Sequence, residues 1–541
     1  MKGSELLSVL DILEASSTDR SFFRTIPGPV NSPSLAALWR QSEDAARFLR
    51  NRTGPGAVGM VLWPSSECVA ALIGGLRAGL RIASLPLPAR AMPLDEYITQ
   101  LKTIDALFSM DLLVVDDEMA PLLAGLDLPI RTATFSETAR GGPPGPVDSD
   151  GILIQFTSGS TGAPKGVELT MGAIGANVTA IRERLGCFGL PDHLVSCSWL
   201  PLSHDMGLIG MTIATWAAQS MVKSGGIIAI RPDHFLRRPE SWLTACSESR
   251  AWVTATPNFG LEHAMKRVPA VGSLDLSPLE VCIVGAEPVQ AATLRRFATE
   301  FAPAGFDTQA LCPAYGMAEA SLAISLSPPR TPWVTRSVSS AALEQGEWRD
   351  STGGDDIELV GLGQPLTGMS VATQTGDVGE LRVRGPSMLT RYHGAEDPRT
   401  PEGWFPTKDL GAVVDEEVFV VGRTDDMLII AGRNLHAHDL EAAAAAVSGI
   451  RRHSTAAVPY GAGHYALILE PPADARVSDL KALCRDVRRA VAQRVGVGPA
   501  AVFVIARGSF PRTPSGKPQR RRLAGQLRKE SLPIETATHF R

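Results

Sequence analysis

Several features that would narrow the class of this 541-residue chain are scarce or absent. Its seven cysteines are scattered without Cys-x-x-Cys pairs or His/Cys clusters, which argues against disulfides and structural zinc and favours reduced thiols. The N-terminus has no uncharged core like that of a signal peptide, because Glu5, Asp11 and Glu14 interrupt its apolar pattern. The longest uncharged stretch, 206–222, includes Thr, Gln and Ser and predicts a buried helix rather than a membrane span. We therefore expect a cytoplasmic protein.

Lysine is also scarce in this sequence. The chain has only nine lysines, and two of them, Lys165 and Lys517, lie inside glycine-bearing motifs. A formal net charge of -5 argues against a nucleic-acid partner, since such binders carry a strongly basic surface. The length exceeds what one hydrophobic core supports, so we expect about two to four domains or subdomains.

Helical and strand-like patterns alternate in the first 150 residues. Residues 35–49 have the pattern of an amphipathic helix, 56–63 that of a strand, and 68–78 that of a second helix. This alternation is typical of an α/β fold with parallel strands, in which ligands bind beyond the carboxyl ends of the strands.

The composition changes after residue 423. Asp439 is a candidate N-cap for an alanine-rich helix over 440–447, which Gly449 would end. We therefore predict a large first domain over 1–423 and a small second domain over 424–541.

A strand-like apolar segment, 152–154, runs directly into a loop rich in glycine and hydroxyl groups. The loop contributes Thr157, Ser158, Gly159, Ser160, Thr161, Gly162 and Lys165. Glycine lets backbone N–H groups approach a ligand closely, and together with hydroxyls and one ammonium they suit a polyphosphate. The loop is not a Walker A motif, because Pro164 precedes Lys165 and Gly166 follows it. Taken alone, an ordinary surface turn is an equally good interpretation.

Six further motifs follow the loop in order. They are Trp-Leu-Pro-Leu-Ser-His-Asp-Met-Gly-Leu at 199–208, Gly-Ala-Glu-Pro at 285–288, Ala-Tyr-Gly-Met-Ala-Glu-Ala at 314–320, Gly-Trp-Phe-Pro-Thr-Lys-Asp-Leu-Gly at 403–411, Gly-Arg-Thr-Asp-Asp at 422–426, and Pro-Arg-Thr-Pro-Ser-Gly-Lys at 511–517. From about residue 150 to 520 this series resembles the adenylate-forming enzymes, which include acyl-CoA synthetases, luciferases and peptide-synthetase adenylation domains. The resemblance implies a large domain of mixed sheets and helices and a small mobile α+β domain.

Within that superfamily the chain most resembles the fatty acyl-AMP ligases. The resemblance rests on 200–210, on Gly-Arg-Asn at 432–434 with His-Asp-Leu-Glu at 438–441, and on the segment at 333–352, where that family carries an insertion. The sequence departs from the family at 435–438, where a His-Tyr-Pro-Gln-like run is usual, and at Met317, where Leu is more usual.

The resemblance implies an activity, its cofactors and a partner. With ATP and Mg²⁺, a fatty or related carboxylic acid would become acyl-AMP with release of pyrophosphate. The acyl group would then pass to the phosphopantetheine thiol of a separate acyl carrier protein.

The resemblance also implies roles for individual residues. The loop at 157–162 with Lys165 would hold the β and γ phosphates, and Glu319 with Thr161 would bind Mg²⁺. The adenine would lie between Gly285, Ala286 and Glu287 on one side and Ala314, Tyr315, Gly316 and Met317 on the other. Asp409 and Arg423 would form hydrogen bonds with the ribose hydroxyl groups. The acyl site would be formed by His204, Asp205, Met206, Gly207 and Asn258, with His204 gating it or contacting the carboxylate.

Lys517 is the predicted catalytic residue and Asp425 the predicted hinge. By resemblance Lys517 would bridge the substrate carboxylate and the α-phosphate during adenylation, although a lysine in a basic tail with Arg520, Arg521 and Arg522 is ordinarily solvated. Because Lys517 lies on the small domain, that domain would close for one half-reaction and rotate about Asp425 for the other.

Three other functions are open. An acyl-CoA synthetase would use free CoA as its acceptor. An amino-acid adenylating enzyme often holds the α-ammonium group with an aspartate, and Asp205 follows His204. A non-catalytic nucleotide-binding protein would be expected to lack Glu319 or Lys517, and both are present. The identity of the acid cannot be read from the sequence.

Overall fold

The computed structural model describes most of the chain. The described residues are 7–28, 32–54, 56–88, 94–124, 128–143, 150–157, 165–268, 271–351, 353, 356–430, 433–450, 454–461, 463–472, 479–512 and 518–540.

Sixteen α-helices lie in the described residues. In chain order they are α1 Val9–Ser16, α2 Leu35–Arg50, α3 Ser66–Arg77, α4 Leu94–Phe108, α5 Ala120–Ala124, α6 Phe135–Thr138, α7 Met171–Gly186, α8 Ala214–Ala218, α9 Pro232–Arg237, α10 Glu240–Glu248, α11 Asn258–Met265, α12 Ala291–Phe301, α13 Ser340–Glu344, α14 Ala437–Ala444, α15 Leu480–Val495 and α16 Arg520–Arg528. A π-helix spans Met206–Ile213, and short 3₁₀ turns include Ala318–Ala320 and Thr424–Asp426.

The described strands number 27. In chain order they are β1 Ser21–Ile26, β2 Ala57–Val61, β3 Arg81–Leu85, β4 Met110–Val115, β5 Arg131–Thr134, β6 Ile152–Thr157, β7 Lys165–Thr170, β8 His193–Ser198, β9 Ser224–Ile230, β10 Val253–Thr256, β11 Val281–Val284, β12 Leu311–Gly316, β13 Ala323–Leu326, β14 Thr335–Ser339, β15 Asp356–Val360, β16 Gln364–Pro365, β17 Ser370–Thr373, β18 Gly379–Arg384, β19 Arg391–Tyr392, β20 Phe405–Val414, β21 Glu417–Arg423, β22 Met427–Ile430, β23 Arg433–His436, β24 Thr455–Pro459, β25 Tyr465–Leu469, β26 Ala501–Ile505 and β27 Ile534–His539.

Two large, mostly parallel sheets form the framework. One has eight strands in the order β1-β9-β8-β10-β11-β12-β13-β16, and the other seven in the order β19-β7-β6-β3-β2-β4-β5. Strands β5, β4, β2, β3 and β6 are mutually parallel, which confirms the predicted α/β class. The predicted helices over 35–49 and 68–78 and the strand between them are observed as α2, α3 and β2.

Local chemistry explains where these helices begin and what they bury. Ser34 caps α2 by accepting a hydrogen bond from the Ala37 N–H group, and Ser65 caps α3 through the Cys68 N–H group. Every residue of α3 from Cys68 to Arg77 is buried, so this helix is enclosed within the protein rather than lying on its surface.

The region predicted to contain an insertion has ordered structure of its own. Strand β14 pairs with β15, and the Val338 side chain between them is fully buried. The Trp348 ring packs on Phe419 of β21 with 5.0 Å between ring centroids. This segment therefore forms part of a core with the four-stranded sheet β17-β18-β20-β21.

The residues after the predicted hinge build a separate core. The hairpin β22-β23, the sheet β24-β25-β26-β27 and helices α14 to α16 enclose two apolar clusters that run from Leu428 to Leu532. No cluster of buried residues in the described part of the chain combines side chains from both sides of residues 422–427. This supports a division at about residue 424, which we retain as a proposal.

Two sequence predictions about helices have different outcomes. The uncharged stretch at 206–222 is helical and largely buried, beginning as the π-helix, and among the described helices none combines the length and apolar character needed to cross a bilayer. The prediction that Asp439 caps α14 is wrong. The helix begins earlier, at Ala437 with His436 as its N-cap, so the Asp439 carboxylate lies in the first turn, where the helix dipole stabilises it.

Candidate active site

Three predicted nucleotide-binding residues meet at the end of the β20-β21 hairpin. Asp409 and Arg423 are directly opposite each other in the antiparallel register, and Arg423 Nε lies 3.4 Å from Asp409 Oδ1. The Tyr315 hydroxyl, from the end of β12, donates to Asp409 Oδ2 at 2.6 Å. The Asp409 side chain is only 10% exposed, so a carboxylate held by two partners faces the site from a buried position.

Charge at this cluster is fixed. Burial raises the pKa of Tyr315, and the neighbouring Asp409 carboxylate raises it further, so the phenol stays protonated and donates. Burial lowers the pKa of Arg423, but the carboxylates of Asp409, Asp426 and Asp425 more than offset that effect and the pKa is raised overall. Arg423 therefore presents a permanent cation beside the Asp409 carboxylate.

The turn after Tyr315 presents Glu319. A Cβ atom on Gly316 would lie 2.0 Å from the Leu322 carbonyl oxygen, so only glycine fits there. Met317 N–H donates to the same carbonyl at 2.8 Å, which closes a tight loop around the 3₁₀ turn Ala318–Ala320. The Glu319 carboxylate accepts a hydrogen bond from the Tyr392 hydroxyl through Oε1 at 2.8 Å.

Tyr392 connects the predicted metal ligand to the predicted phosphate-binding lysine. Lys165 Nζ lies 5.0 Å from the centroid of the Tyr392 ring, and β19 places Tyr392 opposite Val167 of β7. Burial and then the Glu319 carboxylate raise the pKa of Tyr392, so its hydroxyl remains a donor. Tyr392 could not be predicted from the sequence, because it lies in a two-residue strand outside every motif.

Part of the phosphate loop lies outside the described residues. This applies to Ser158, Gly159, Ser160, Thr161 and Gly162, and also to Lys517. The two ends of the loop are fixed, since Thr157 and Lys165 are directly opposite each other in the β6-β7 ladder. The chain therefore leaves β6 and enters β7 at two residues that face each other.

The segment 285–290 is fastened to the start of α11. The Asn258 amide donates to the Pro288 carbonyl at 2.7 Å, and its oxygen accepts from the Gln290 N–H group at 3.1 Å. The Glu287 carboxylate accepts from the Phe259 N–H group at 2.8 Å. These contacts make Asn258 a buried support for this segment, and its place in the acyl site stays a prediction.

Two backbone features mark the predicted adenine segment. Ala286 has a left-handed φ of 65°, a strained conformation for a residue with a Cβ atom. A Cβ atom on Gly285 would lie 3.0 Å from the Ala314 carbonyl oxygen, so the two predicted adenine segments approach each other closely.

The predicted acyl-site motif forms the entrance to the π-helix. The Asp205 carboxylate accepts from the Met206 N–H group at 2.7 Å, and His204 is half-buried. A Cβ atom on Gly207 would lie 2.3 Å from the Pro201 carbonyl oxygen, so the close turn requires glycine. Segments of π-helix are frequent at functional sites.

A large cavity, of about 2150 Å³, lies between the two cores. Trp199, Pro201 and Phe259 line it from the residues before the predicted hinge, here called the large unit. His436 and Arg512 line it from the residues after that hinge, here called the small unit. The described lining residues include neither His204 nor Asn258.

The predicted hinge residue is held from two sides. Asp425 Oδ2 lies 3.6 Å from Lys408 Nζ in the large unit and 3.3 Å from an Arg521 guanidinium nitrogen in α16. Next to it, Asp426 accepts from Arg520 at 2.8 Å, and Arg520 also binds the buried Glu441 carboxylate. The basic tail is therefore ion-paired at these arginines, and the sequence analysis did not predict these pairings.

Comparison with known proteins agrees with this geometry. The family model described as AMP-binding enzyme matches residues 19–393, more than half of the chain. A putative ligase of Mycobacterium tuberculosis is 34% identical over 72% of this chain and 75% of its own length. The long-chain-fatty-acid–AMP ligase FadD26 of Mycobacterium bovis is 29% identical over 86% of each chain.

A solved structure has the same fold as this chain. A chain from structural work on fatty acyl-adenylate ligases of E. coli and L. pneumophila is 28% identical and superposes with a TM-score of 0.88 over 97% of this chain and 98% of its own. The family match, the relatives and the shared fold show that the chain belongs to the AMP-binding, adenylate-forming enzymes and is most like the fatty acyl-AMP ligases.

Proposed function

We propose that the protein activates a fatty or related carboxylic acid with ATP and passes the acyl group to the phosphopantetheine thiol of a separate acyl carrier protein, in the cytoplasm. In the first step a carboxylate oxygen attacks the α-phosphorus of ATP, and the bond to pyrophosphate breaks. In the second step the thiol sulfur attacks the acyl carbonyl carbon of acyl-AMP, and AMP leaves.

The observation that carries this proposal is the joined set of Tyr315, Asp409 and Arg423. A buried carboxylate that is oriented by a phenol and a guanidinium is a good acceptor for ribose hydroxyl groups. Lys165 and Glu319, joined through Tyr392, supply opposite charges suited to phosphate and its cation. In this role the set fixes the sugar while Lys165 restrains the leaving group.

Magnesium fits the donor set at Glu319. A carboxylate is the hard oxygen ligand that Mg²⁺ prefers, and the Tyr392 hydroxyl orients this one. When bound, the ion would neutralise phosphate charge. We assign Glu319 and Thr161 as the residues that would hold it.

The small unit supplies the remaining catalytic group. We assign Lys517 the contact with the reacting carboxylate and α-phosphate, because by resemblance it occupies the position of the family's lysine. The cavity between the two cores and the ion-paired hinge at Asp425 support a rotation of the small unit between the half-reactions.

Two alternative functions remain: amino-acid adenylation, which differs in its substrate, and acyl-CoA synthesis, which differs in its acceptor. Amino-acid adenylation is less favoured, because the Asp205 carboxylate already binds the backbone at the start of its own helix. An acyl-CoA synthetase differs in using free CoA. The predicted insertion at 333–352 packs into the protein, since Val338 and Trp348 belong to a core with Phe419, so removing it would disturb the fold in addition to any effect on the use of CoA.

The intact enzyme can be tested directly for its acceptor. It is incubated with ATP, Mg²⁺ and dodecanoate, and either CoA or a panel of phosphopantetheinylated carrier proteins. We expect mass spectrometry to detect a dodecanoyl group on at least one carrier, with little dodecanoyl-CoA. Comparable formation of dodecanoyl-CoA would favour the synthetase.

A further inference from the structure

An imidazole lies where the small unit meets the nucleotide-binding hairpin. His436 ends β23, opposite Met427 of β22, just beyond the 3₁₀ turn of the hinge. Its ring packs against Gly422, the residue before Arg423. A Cβ atom on Gly422 would lie 2.4 Å from His436 Nδ1, so the ring fits only because residue 422 is glycine.

The two ring nitrogens of His436 have different surroundings. Nδ1 is buried against Gly422 and has no hydrogen-bond partner among the described residues. The ring also lines the large cavity, which leaves Nε2 as the nitrogen turned toward that space. The neutral tautomer with its proton on Nε2 fits these surroundings, because an Nδ1–H group would find no acceptor among the described residues.

The same surroundings keep the ring neutral. Burial lowers the pKa of His436, and the adjacent His438 ring, 5.5 Å away, lowers it further. Asp439 and Asp426 act in the opposite direction but do not offset these effects. The Asp426 carboxylate is itself paired with Arg520. At neutral pH the ring is therefore a neutral donor.

His436 shares its cavity with the acyl-site motif. Trp199 and Pro201 line the other side of the same space, and Arg423, which follows Gly422, belongs to the proposed ribose site. A donor here packs on Gly422, one residue before the proposed ribose-binding Arg423, in a cavity that Trp199 and Pro201 also line. Such a group suits a reaction in which negative charge develops on oxygen.

We propose that the Nε2–H group of neutral His436 donates a hydrogen bond to the oxyanion that forms when a thiolate attacks the acyl adenylate. The thiol first loses its proton to solvent. The S–C bond then forms and the carbonyl electron pair moves to oxygen, where His436 stabilises it. As the carbonyl re-forms, the C–O bond to AMP breaks and its electron pair leaves with the phosphate. This role rests on the proposed function.

The test compares two substitutions at position 436 in the intact enzyme. His436→Leu removes the donor, whereas His436→Gln restores an N–H group near the position of Nε2. Transfer is measured by rapid quench from enzyme-bound dodecanoyl-AMP to pantetheine, and adenylation is measured by pyrophosphate exchange. His539→Leu is the control, since that ring is exposed and is not among the described residues that line the cavity.

We expect His436→Leu to slow transfer about 100-fold, the cost typical of losing one oxyanion donor. The loss should be confined to transfer, His436→Gln should recover most of the rate, and His539→Leu should resemble the wild type. Because burial lowers the pKa of His436, the wild-type transfer rate should show no imidazole ionisation at the ordinary histidine value of about 6.5.

Three results would overturn the proposal. A Gln variant as slow as Leu, with an imidazole ionisation in the wild-type profile, would make His436 a base instead. Equal losses in both half-reactions would assign it to packing on Gly422. A wild type that exchanges pyrophosphate but does not acylate pantetheine or a carrier would overturn the proposed transfer itself, and with it this role.

Discussion

Asp409 is the most heavily constrained acid at the site. It is buried, accepts a hydrogen bond from Tyr315 and pairs with Arg423, so its charge has a fixed position and direction. Hydrogen bonds to a charged group are about twice as strong as those between neutral groups. Removing the charge should weaken nucleotide binding while leaving the shape of the pocket unchanged.

Asp409→Asn is the corresponding test. We expect kcat/KM for ATP to fall about 100-fold, which corresponds to about 2.7 kcal/mol of lost stabilisation. Steady-state pyrophosphate exchange at varied ATP measures it. Asp415→Asn is a matched control, because that acid lies on the same hairpin, is 74% exposed and pairs only at the surface with Arg336. Equal effects of the two substitutions would contradict the assignment.

Tyr392 is the second residue with a distinct prediction. Tyr392→Phe keeps the ring beneath Lys165 but removes the hydroxyl that orients Glu319. Loss of such an outer contact typically weakens metal binding, so we expect the half-saturating Mg²⁺ concentration to rise about 10-fold.

The control for this prediction is Tyr460→Phe, which removes a hydroxyl that lies 3.3 Å from Nδ1 of the exposed His539 ring. The readout is the Mg²⁺ dependence of pyrophosphate exchange. A Tyr392→Phe variant with the wild-type dependence would remove Glu319 and Tyr392 from the metal site.

The sequence motifs indicated the charged residues of the proposed site, but they did not indicate which side chains contact those residues. Asp409, Arg423, Glu319 and Lys165 could be selected because their types and neighbours fit a nucleotide. Tyr392 could not, because its contacts depend on the antiparallel pairing of β19 with β7, and nothing in the sequence near it marks that pairing. Asn258 was selected, but its amide groups are used to hold the backbone at 288–290.

The predicted hinge at Asp425 and the arginine helix α16 are joined by ion pairs. Arg520 binds Glu441 and Asp426, while Arg521 and Lys408 approach the same oxygen of Asp425. Lys408 belongs to the large unit and Arg521 to the small one. Rotation about Asp425 must therefore rearrange at least one of these contacts.

Asp425→Pro should separate the two half-reactions. Proline fixes φ at its position and restricts the rotation, so we expect one half-reaction to persist and the other to fall about 100-fold. Pyrophosphate exchange and single-turnover thiol transfer measure them separately. Asp425→Ala removes the same ion pairs but leaves the backbone free, and it should affect both steps alike. Two equally active half-reactions in the proline variant would refute the hinge.

At the scale of elements, periodicity predicted most of the framework. The helix α2 and the strand β2 follow from their apolar spacing, but the start of α14 does not. Asp439 has the right type for an N-cap, yet the pairing of β23 with β22 ends at His436 and the helix begins immediately after it. The ion pairs of α16 were also unpredictable, because they join residues about 80 positions or more apart in the chain.

In the described part of the whole molecule, apolar clusters lie on either side of residues 422–427, and residues from both sides line a large cavity. Arg522 reaches from α16 to Glu96 of α4 at 2.6 Å, and the cavity is lined from both sides. An exposed ion pair contributes little stability, so contacts of this kind are compatible with movement between the units. This architecture agrees with a reaction in two steps that share one nucleotide site.

The central claim is fatty-acid activation, and pyrophosphate exchange tests it most directly. Exchange is measured across fatty, aryl and amino acids with the wild type, Lys517→Ala and the control Lys529→Ala. We predict exchange that depends on a fatty acid and falls at least about 100-fold in Lys517→Ala, which should still transfer from pre-made acyl-AMP. Exchange with amino acids only, or unchanged exchange in Lys517→Ala, would contradict the account.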